Sequence, residues 1–265
     1  MTPAVPPIAA LDAPASWRTV DFISDLHLHE AEPATFAAWR RYLRETPADA
    51  LFILGDLFEV WVGDDAADAT DGSPDAGFAR QCAEALREAA GRLALYLMHG
   101  NRDFLVGPAF LAHCGATPLA DPTVLVFGGQ RWLLSHGDAL CLDDVDYQRF
   151  RAEVRGAAWQ AAFLARPLAE RQAIARGLRD GSEARKQSGA AYADLDAEAT
   201  RAWLAAARAG TLIHGHTHKP AEHGLGNSLR RVVLSDWDAA ARPPRAEVLR
   251  LGSDGTLARL ALPAA

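Results

Sequence analysis

The sequence has few cysteines, no long apolar run and no excess of positive charge. Its three cysteines are an odd number without paired short spacing, which argues against a disulfide framework or a zinc knuckle and favours reduced thiols in a cytosol-like compartment. No stretch is long and apolar enough to span a bilayer. The formal net charge of -7 argues against a general nucleic-acid-binding surface. The composition favours a soluble protein, attached at most to a membrane surface.

The first sixteen residues also lack the features of a signal peptide. They are rich in proline and alanine, without a basic leader or a continuous apolar core, and are predicted to be a disordered tail. The remaining residues, 17–265, are enough to bury a substantial core, since 49% of the chain is hydrophobic. We expect one domain there, with an insertion.

Several short apolar runs stop at a residue type that binds metals. The run from Leu51 to Leu54 has the pattern of a buried strand, and Gly55-Asp56 marks its carboxyl end. In open α/β sheets ligands bind beyond the carboxyl ends of the strands, because the loops leaving several strands converge there. Five such strand ends suggest one shared metal site. The residues that follow the five runs are Asp25 and His27, Asp56, Asn101, His136, and His216 with His218.

The order of predicted elements changes along the chain. Strand and helix patterns alternate up to about residue 98, which predicts parallel strands with crossover helices. Residues 124–127 and 131–134 then have the pattern of a hairpin, so that either the sheet becomes mixed or a second sheet begins. Residues 145–209 have no convincing strand, and their apolar spacing predicts three or four helices.

This helical segment is basic, whereas the rest of the chain is acidic. Between residues 149 and 186, nine arginines and lysines oppose four acids, while the remainder has 18 basic and 30 acidic residues. The contrast suits an anionic substrate or an anionic lipid surface. A solvated helical face would carry the same charges, so charge alone leaves both interpretations open. Trp159, Phe163 and Leu164 are candidates to hold acyl chains, or to pack the segment onto the body.

The donors at the five strand ends are Asp, His and Asn without a thiolate. Such a set suits Mn, Fe or Zn rather than an all-oxygen Mg or Ca site. Seven donors are too many for one ion, but they fit two ions about 3.5–4 Å apart that share a carboxylate, an arrangement that hydrolyses phosphate esters. Asp56 is the natural bridge.

In this order, the five blocks resemble the calcineurin-like metallophosphoesterase family. They are Asp25-x-His27, Gly55-Asp56, Gly100-Asn101, His136 and Gly215-His216-Thr-His218. The resemblance covers almost the whole chain beyond the tail. It implies a fold of the α/β class, a mixed-sheet sandwich flanked by helices, with a helical insertion or cap at about 145–209.

The resemblance also implies two Mn²⁺ ions and a substrate. One ion would be held by Asp25, His27, Asp56 and His218, and the other by Asp56, Asn101, His136 and His216. Longer motifs, such as those at 53–59 and 99–104, resemble family members that cleave the pyrophosphate of UDP-linked diacylglucosamine in lipid A biosynthesis. The implied substrate contacts are Asn101, Arg102, Asp144, Ser182, Lys186 and His216. Around Lys186 the chain departs from the family's usual Asn and Lys pattern.

Arg102 stands where most of the wider family has a histidine, the expected acid for the leaving group. An arginine stays protonated and cannot be that acid, but it can bind phosphoryl oxygens and offset charge in the transition state. Attack at the α-phosphorus of a UDP-sugar expels a sugar phosphate, which is a better leaving group than an alkoxide. A substrate of this class therefore fits Arg102 as the catalytic residue.

The resemblance finally implies a location and leaves two alternatives. We expect a cytoplasmic monomer, peripherally attached to the cytoplasmic face of the inner membrane, without a nucleic-acid partner. One alternative is a phosphodiesterase or nucleotide pyrophosphatase with a water-soluble substrate, against which the apolar, basic insertion argues. The other is a non-catalytic scaffold on the same fold, against which the intact ligand set argues.

Overall fold

The computed structural model describes residues 5–68, 74–187 and 193–262, with backbone alone at 68, 74 and 75 and from 179 to 187. These residues form two six-stranded sheets with helices beside them. The strands are β1 (Ala9–Asp12), β2 (Thr19–Ile23), β3 (Ala50–Leu54), β4 (Ala94–Met98), β5 (Thr117–Leu119), β6 (Thr123–Phe127), β7 (Gln130–Ser135), β8 (Thr211–His214), β9 (Ala221–Gly226), β10 (Leu229–Val233), β11 (Glu247–Gly252) and β12 (Leu257–Ala261). The helices are α1 (Pro33–Glu45), α2 (Asp65–Asp68), α3 (Pro74–Ala90), α4 (Pro108–Cys114), α5 (Val145–Val154), α6 (Ala157–Leu164), α7 (Leu168–Gln187) and α8 (Ala197–Ala207).

The first sheet has the strand order β12-β11-β2-β3-β4-β5. Strands β2 to β5 are parallel, as the alternation of strands and helices predicts, and β11 pairs with β2 in the antiparallel sense. All five residues of β3 are buried, because helices cover one face of this sheet and the second sheet covers the other. The residues of metal-binding type that follow β2, β3 and β4 therefore lie at the same end of this sheet.

The predicted hairpin begins the second sheet, whose strand order is β1-β6-β7-β8-β10-β9. Strands β6 and β7 are antiparallel, but β7 and β8 are parallel neighbours, so their carboxyl ends lie side by side. The inner faces of the two sheets share one apolar core, in which Phe22 and Phe52 stack with ring centroids 5.3 Å apart. The prediction of a mixed-sheet sandwich flanked by helices is confirmed.

The predicted disordered tail is wrong for residues 9–12. These residues form β1, which pairs in parallel with β6 from Ala9↔Thr123 to Asp12↔Val126. Leu11 packs against the core between the sheets. Composition did not reveal this strand, because it has four residues with prolines on both sides and lies at the edge of its sheet.

Helices α5, α6 and α7, which we call the cap, contact the loops at the ligand-bearing end of the sandwich. Arg171 of α7 is only 1% exposed and donates to the Val62 carbonyl oxygen and to the Asp65 carboxylate. Helix α8 does not continue the cap, contrary to the boundary expected near residue 209. It packs on the outer face of the second sheet, where Trp203 and Leu204 are buried.

Two expectations from composition concern the cysteines and the membrane. Cys82, Cys114 and Cys141 are buried and unpaired, as predicted. Among the described residues, no helix combines the length and the hydropathy that a bilayer crossing requires.

Candidate metal centre

The seven predicted ligands converge at one end of the sandwich, although they come from two sheets. The loops after β2 and β8 are joined where the His216 N–H donates to the Asp25 carboxylate at 2.9 Å. The loops after β7 and β8 are joined by the Gly215 N–H, which donates to the His136 carbonyl oxygen at 3.0 Å. The loops after β2, β7 and β8 therefore meet at one place.

Five of these residues have a left-handed backbone, which non-glycine residues rarely adopt. Each turns the chain sharply just after a strand and directs its side chain toward the common centre. Residues in this region are typical of functional sites, because the surrounding structure must compensate for their strain. Their φ angles are 54° at Asp25, 49° at His27, 53° at Asp56, 67° at His216 and 54° at His218.

One group of donors consists of Asp25, His27 and His218, whose ligand atoms lie within 4.8 Å of one another. The Nε2 atoms of the two histidines are 3.2 Å apart, and His218 Nε2 is 3.3 Å from an Asp25 oxygen. Asp25 is fully buried, whereas the histidine side chains are 19% and 30% exposed. Two imidazole nitrogens facing one carboxylate are a donor set for a transition-metal ion.

A second group lies around Asn101. Its Oδ1 atom is 3.0 Å from His136 Nε2 and 2.8 Å from His216 Nδ1. Asp56 lies between the two groups, because its Oδ2 is 3.8 Å from His136 Nε2 and 4.0 Å from His27 Nε2. A carboxylate in this position can contact ions on both sides.

Backbone contacts orient these side chains. His136 Nδ1 lies 2.9 Å from the Leu54 carbonyl oxygen, which can only accept, so Nδ1 carries the hydrogen and Nε2 is free for a metal. Asp103 accepts from the N–H groups of Asp56, Leu57 and Gly100, and thereby ties the loop after β3 to the loop after β4.

Two glycines are required by close approach of the backbone. A Cβ atom at Gly100 would collide with the backbone nitrogen and the carboxylate of Asp56. At Gly55, where φ is +91°, a Cβ atom would lie 2.6 Å from His136 Nδ1. Larger residues would displace the ligands, which explains why the Gly55-Asp56 and Gly100-Asn101 pairs belong to the motifs.

The electrostatics of the centre favour a bound cation. Burial opposes ionisation of Asp25, but the hydrogen bond and charge of His218, with the charges of His136 and His27, hold the pKa of Asp25 well below its usual range. Burial would lower the pKa of His136, yet the charges of Asp56, Asp138 and Asp25 raise the pKa to about 9. Burial and the charge of His136 lower the pKa of His216 to about 4. Converging carboxylates that hold a proton on His136 would also hold a metal ion in its place.

The predicted substrate contacts are partly placed. Arg102 and Asp144 both border the cavity of about 310 Å³ that contains His27, Asp56, Asn101, His216 and His218. The carboxylate of Asp144 also accepts from the Tyr147 N–H at the start of α5. Ser182 and Lys186 lie on α7, but their side chains are outside the described residues.

A larger apolar cavity adjoins this one beneath the cap. It has a volume of about 450 Å³ and shares Asn101, Arg102, Asp144 and Tyr147 with the first cavity. Its apolar wall includes Phe104, Phe150, Trp159, Phe163 and Leu178. Leu164 is not among the described residues that line this cavity, and it is 42% exposed. Of the three apolar residues named as candidates to hold acyl chains or to pack the cap, Trp159 and Phe163 therefore line the cavity that adjoins the metal centre.

The fold and the donor set define a metal-dependent phosphoesterase, and the comparison with known families agrees. The chain belongs to the calcineurin-like phosphoesterase family, whose model matches residues 18–220. The family implies a divalent metal centre, which the donors described above can hold.

Similar proteins of known name cover most of the chain. A UDP-2,3-diacylglucosamine hydrolase of Chromobacterium violaceum is 50% identical over 227 residues, which are 82% of this chain and 90% of that protein. Proteins with the same name from Marinobacter nauticus and Xanthomonas campestris are 45% and 43% identical. They match over 83% and 92% of this chain and over 90% and 100% of their own lengths.

Three residues to which the sequence analysis gives no role contribute to the site. They are Glu59 and Asp103, which lie in the motifs at 53–59 and 99–104, and Asp138, which lies two residues after His136. The buried Asp138 carboxylate accepts from the Tyr147 hydroxyl at 2.6 Å and from Arg151 Nε at 2.8 Å, so it joins the cap to the loop of His136. A carboxylate two or three residues after a ligand is the signal that could have identified Asp138 and Glu59.

Proposed function

We propose that the protein hydrolyses UDP-2,3-diacylglucosamine by water attack on the α-phosphorus, giving 2,3-diacylglucosamine 1-phosphate and UMP, in lipid A biosynthesis. The observation that carries this proposal is the direct contact between the polar cavity of the metal centre and the apolar cavity beneath the cap. A substrate that joins a pyrophosphate to acyl chains needs both environments side by side. The names of the relatives support the same substrate.

The proposed cofactor is two Mn²⁺ ions per chain. One would be held by Asp25, His27, Asp56 and His218, and the other by Asp56, Asn101, His136 and His216. This division is supported by the position of Asp56 between the two donor groups. Bound divalent ions supply activation of water and stabilise phosphoryl charge.

The chain's own residues would bind and orient the substrate. Arg102 presents a permanently charged guanidinium at the border of the cavity, where it can bind phosphoryl oxygens as charge develops. Its backbone N–H donates to Asp56 Oδ1 at 2.8 Å, which fixes its position relative to the proposed bridge. Asp144, an acceptor when ionised, suits a hydroxyl or amide of the substrate rather than a phosphate. His216, with Asn101, borders the same cavity. Ser182 and Lys186 remain predictions from the resemblance.

We also propose peripheral attachment to the inner membrane, which the geometry of the apolar cavity supports. Val60, Phe150 and Leu178 border the apolar cavity and are 37%, 36% and 51% exposed, so its mouth has an apolar rim. Leu178 lies on the basic helix α7. An apolar rim beside basic residues suits an anionic lipid surface from which a diacylated substrate is taken. Co-sedimentation with anionic vesicles would test this attachment, and light scattering would test the proposed monomer.

The test of the reaction is an assay of the purified protein on UDP-2,3-diacylglucosamine, with and without Mn²⁺. In ¹⁸O-labelled water, attack at the α-phosphorus places the label in UMP, whereas attack at the other phosphorus places it in the sugar phosphate. Unacylated UDP-N-acetylglucosamine is the matched substrate. Equal turnover of both substrates would favour the soluble-substrate alternative, and absence of any phosphoester turnover would favour the scaffold.

A further inference from the structure

The segment that follows Asp56 runs between two other loops of the centre. On one side, the Leu28 N–H donates to the Leu57 carbonyl oxygen at 2.9 Å, and the Glu59 N–H donates to the Leu28 carbonyl oxygen at 3.3 Å. On the other side, the Trp61 N–H donates to the Arg102 carbonyl oxygen at 3.2 Å. Backbone pairing therefore holds Glu59 between the loop of His27 and the loop of Arg102.

The Glu59 carboxylate contacts both of these side chains. One oxygen lies 2.9 Å from His27 Nδ1, and the other lies 3.5 Å from Arg102 Nη1. The nitrogen and oxygen of the histidine pair are close but not aligned for a linear hydrogen bond, so this pair acts mainly through charge. All three side chains are at most 19% exposed, which reduces screening by water.

Each contact has a chemical consequence. A carboxylate beside His27 Nδ1 favours the tautomer with its hydrogen on that atom, and it leaves Nε2, which faces His218, available to a metal. A carboxylate beside one end of the Arg102 guanidinium restricts a side chain that would otherwise lose rotamer entropy when it binds a phosphoryl group.

We propose that Glu59 is a positioning residue that couples metal binding to phosphoryl binding, acting through His27 and Arg102. Loss of its carboxylate would weaken the metal site that contains His27 and would release Arg102 at the same time. The inference rests on the proposed roles of those two residues, but not on the identity of the lipid substrate.

The first experiment compares wild type with Glu59→Gln and Glu59→Ala. Metal-free protein is titrated with Mn²⁺, and kcat/KM is measured on bis(p-nitrophenyl) phosphate, a diester without acyl chains. We expect Mn²⁺ affinity at one of two sites to fall about 10- to 100-fold in Glu59→Ala, with a smaller loss in Glu59→Gln, which keeps the shape. Glu30→Gln, an exposed carboxylate on the same loop as His27, should match wild type. Unchanged affinity in both Glu59 variants would overturn the proposal.

The second experiment repeats the comparison in an Arg102→Ala background. If Glu59 acts on turnover through Arg102, its removal should then change kcat/KM at saturating Mn²⁺ little further, while Mn²⁺ affinity should still fall. Fully additive losses of kcat/KM would overturn the coupling. Thermal melting of the metal-free proteins identifies general destabilisation. This destabilisation should be smaller in Glu59→Gln than in Glu59→Ala. Neither readout uses the diacylated sugar. If the protein did not hydrolyse that substrate, the proposed function would be rejected and the Glu59 result would still be interpretable.

Discussion

The ligand residues are held in strained backbone conformations by their own hydrogen bonds. A residue in a sparsely populated φ/ψ region destabilises the fold by about 1–3 kcal/mol. The left-handed conformations of the five candidate ligands are therefore substantially destabilising. Part of the compensation is local, because the Asp25 carboxylate accepts from the His216 N–H while both residues have positive φ. The same contact brings the loops from the two sheets together. A metal ion would add to this compensation by binding only the folded arrangement.

Asp56→Ala tests the proposed bridge. Asp56 lies between the two donor groups, so its removal should lower bound Mn²⁺ from two ions to at most one and reduce turnover more than loss of any terminal ligand. Metal content by elemental analysis and turnover on a phosphodiester check both parts. Turnover comparable to wild type would remove the two-metal interpretation.

Asp21→Asn is the matched control for this variant. Asp21 is equally buried and lies on β2, but it pairs with Arg250 and Tyr42 away from the centre. It should therefore lower stability without lowering metal content. A loss of metal in both variants would indicate a general folding defect.

Arg102→Ala separates phosphoryl binding from metal binding. A guanidinium is not a metal ligand, so Mn²⁺ content should stay unchanged while turnover falls about 10²- to 10³-fold. Arg102→Lys keeps the charge but not the planar fork, and its turnover should be intermediate. Loss of Mn²⁺ from Arg102→Ala would contradict the assigned role.

The candidate ligands could be located from the sequence because each one lies within four residues of the carboxyl end of a strand. Asp56 and His136 need only the carboxyl end of a buried run to be located. Spacing after a candidate ligand could mark Glu59 and Asp103 as residues of the site, but it could not give them roles, since their main partners belong to loops that are distant in the sequence. Asp103 acts on the backbone of residues 56 and 57, and this contact depends on the register of β3 against β4.

At the scale of elements, the cap depends on one buried arginine. Arg171 donates to the carbonyl oxygens of Val62 and Arg166 and to the Asp65 carboxylate, so it connects α7 to the loop before α2. The side chain of Asp65 is 60% exposed. The buried part of this connection is therefore the hydrogen bond to the Val62 carbonyl oxygen.

Arg171→Met should lower the free energy of unfolding by about 1–3 kcal/mol at pH 7, because it leaves the buried Val62 carbonyl group without this hydrogen bond. The loss should shrink in acid. The Arg171 hydrogen bond lowers the pKa of Asp65 from the usual 3.8, so this pair stabilises the fold above about pH 4 and loses its contribution as the pH falls through the lowered value. Urea unfolding at pH 7 and pH 3.5 measures the difference. Arg166→Met, which removes a half-exposed ion pair with Glu170, should change stability by less than about 1 kcal/mol at both values.

Elements with a clear sequence pattern could be predicted, whereas short strands with a weak pattern and the packing partners of helices could not. Strand β3 agrees with the run predicted from Leu51 to Leu54 to within one residue. Strand β9 alternates half-buried and exposed positions, but it contains two glycines, Gly224 and Gly226, which weaken the sequence pattern of a strand. Helix α8 has an ordinary amphipathic pattern, and only the structure shows that its apolar face packs on β7 and β8 rather than on the cap.

At the scale of the whole molecule, one end of the protein carries two different surfaces. The two sheets form the metal centre, and the cap forms an apolar surface beside it. The carboxyl ends of β7 and β8 face those of β2, β3 and β4, and the cap extends an apolar surface from Arg102 to Leu178. Trp159 lies in this surface, with its ring 4.8 Å from Phe163 and 6.2 Å from Phe104. Phe163 is also part of the main apolar core, so its role includes packing.

Trp159→Ser should therefore weaken activity on the diacylated substrate and spare a small phosphodiester. Burial of an acyl chain gains about 0.8 kcal/mol per methylene, so loss of a large part of the wall should lower kcat/KM for UDP-2,3-diacylglucosamine about tenfold or more. Leu164→Ser is the matched control, because Leu164 is on the same helix but exposed and outside the cavity as described. Phe163→Ser should lower both activities together with the melting temperature, since Phe163 is 6% exposed. If Trp159→Ser behaved like Phe163→Ser, the acyl chains would bind elsewhere, and the metal centre would be unaffected by that result.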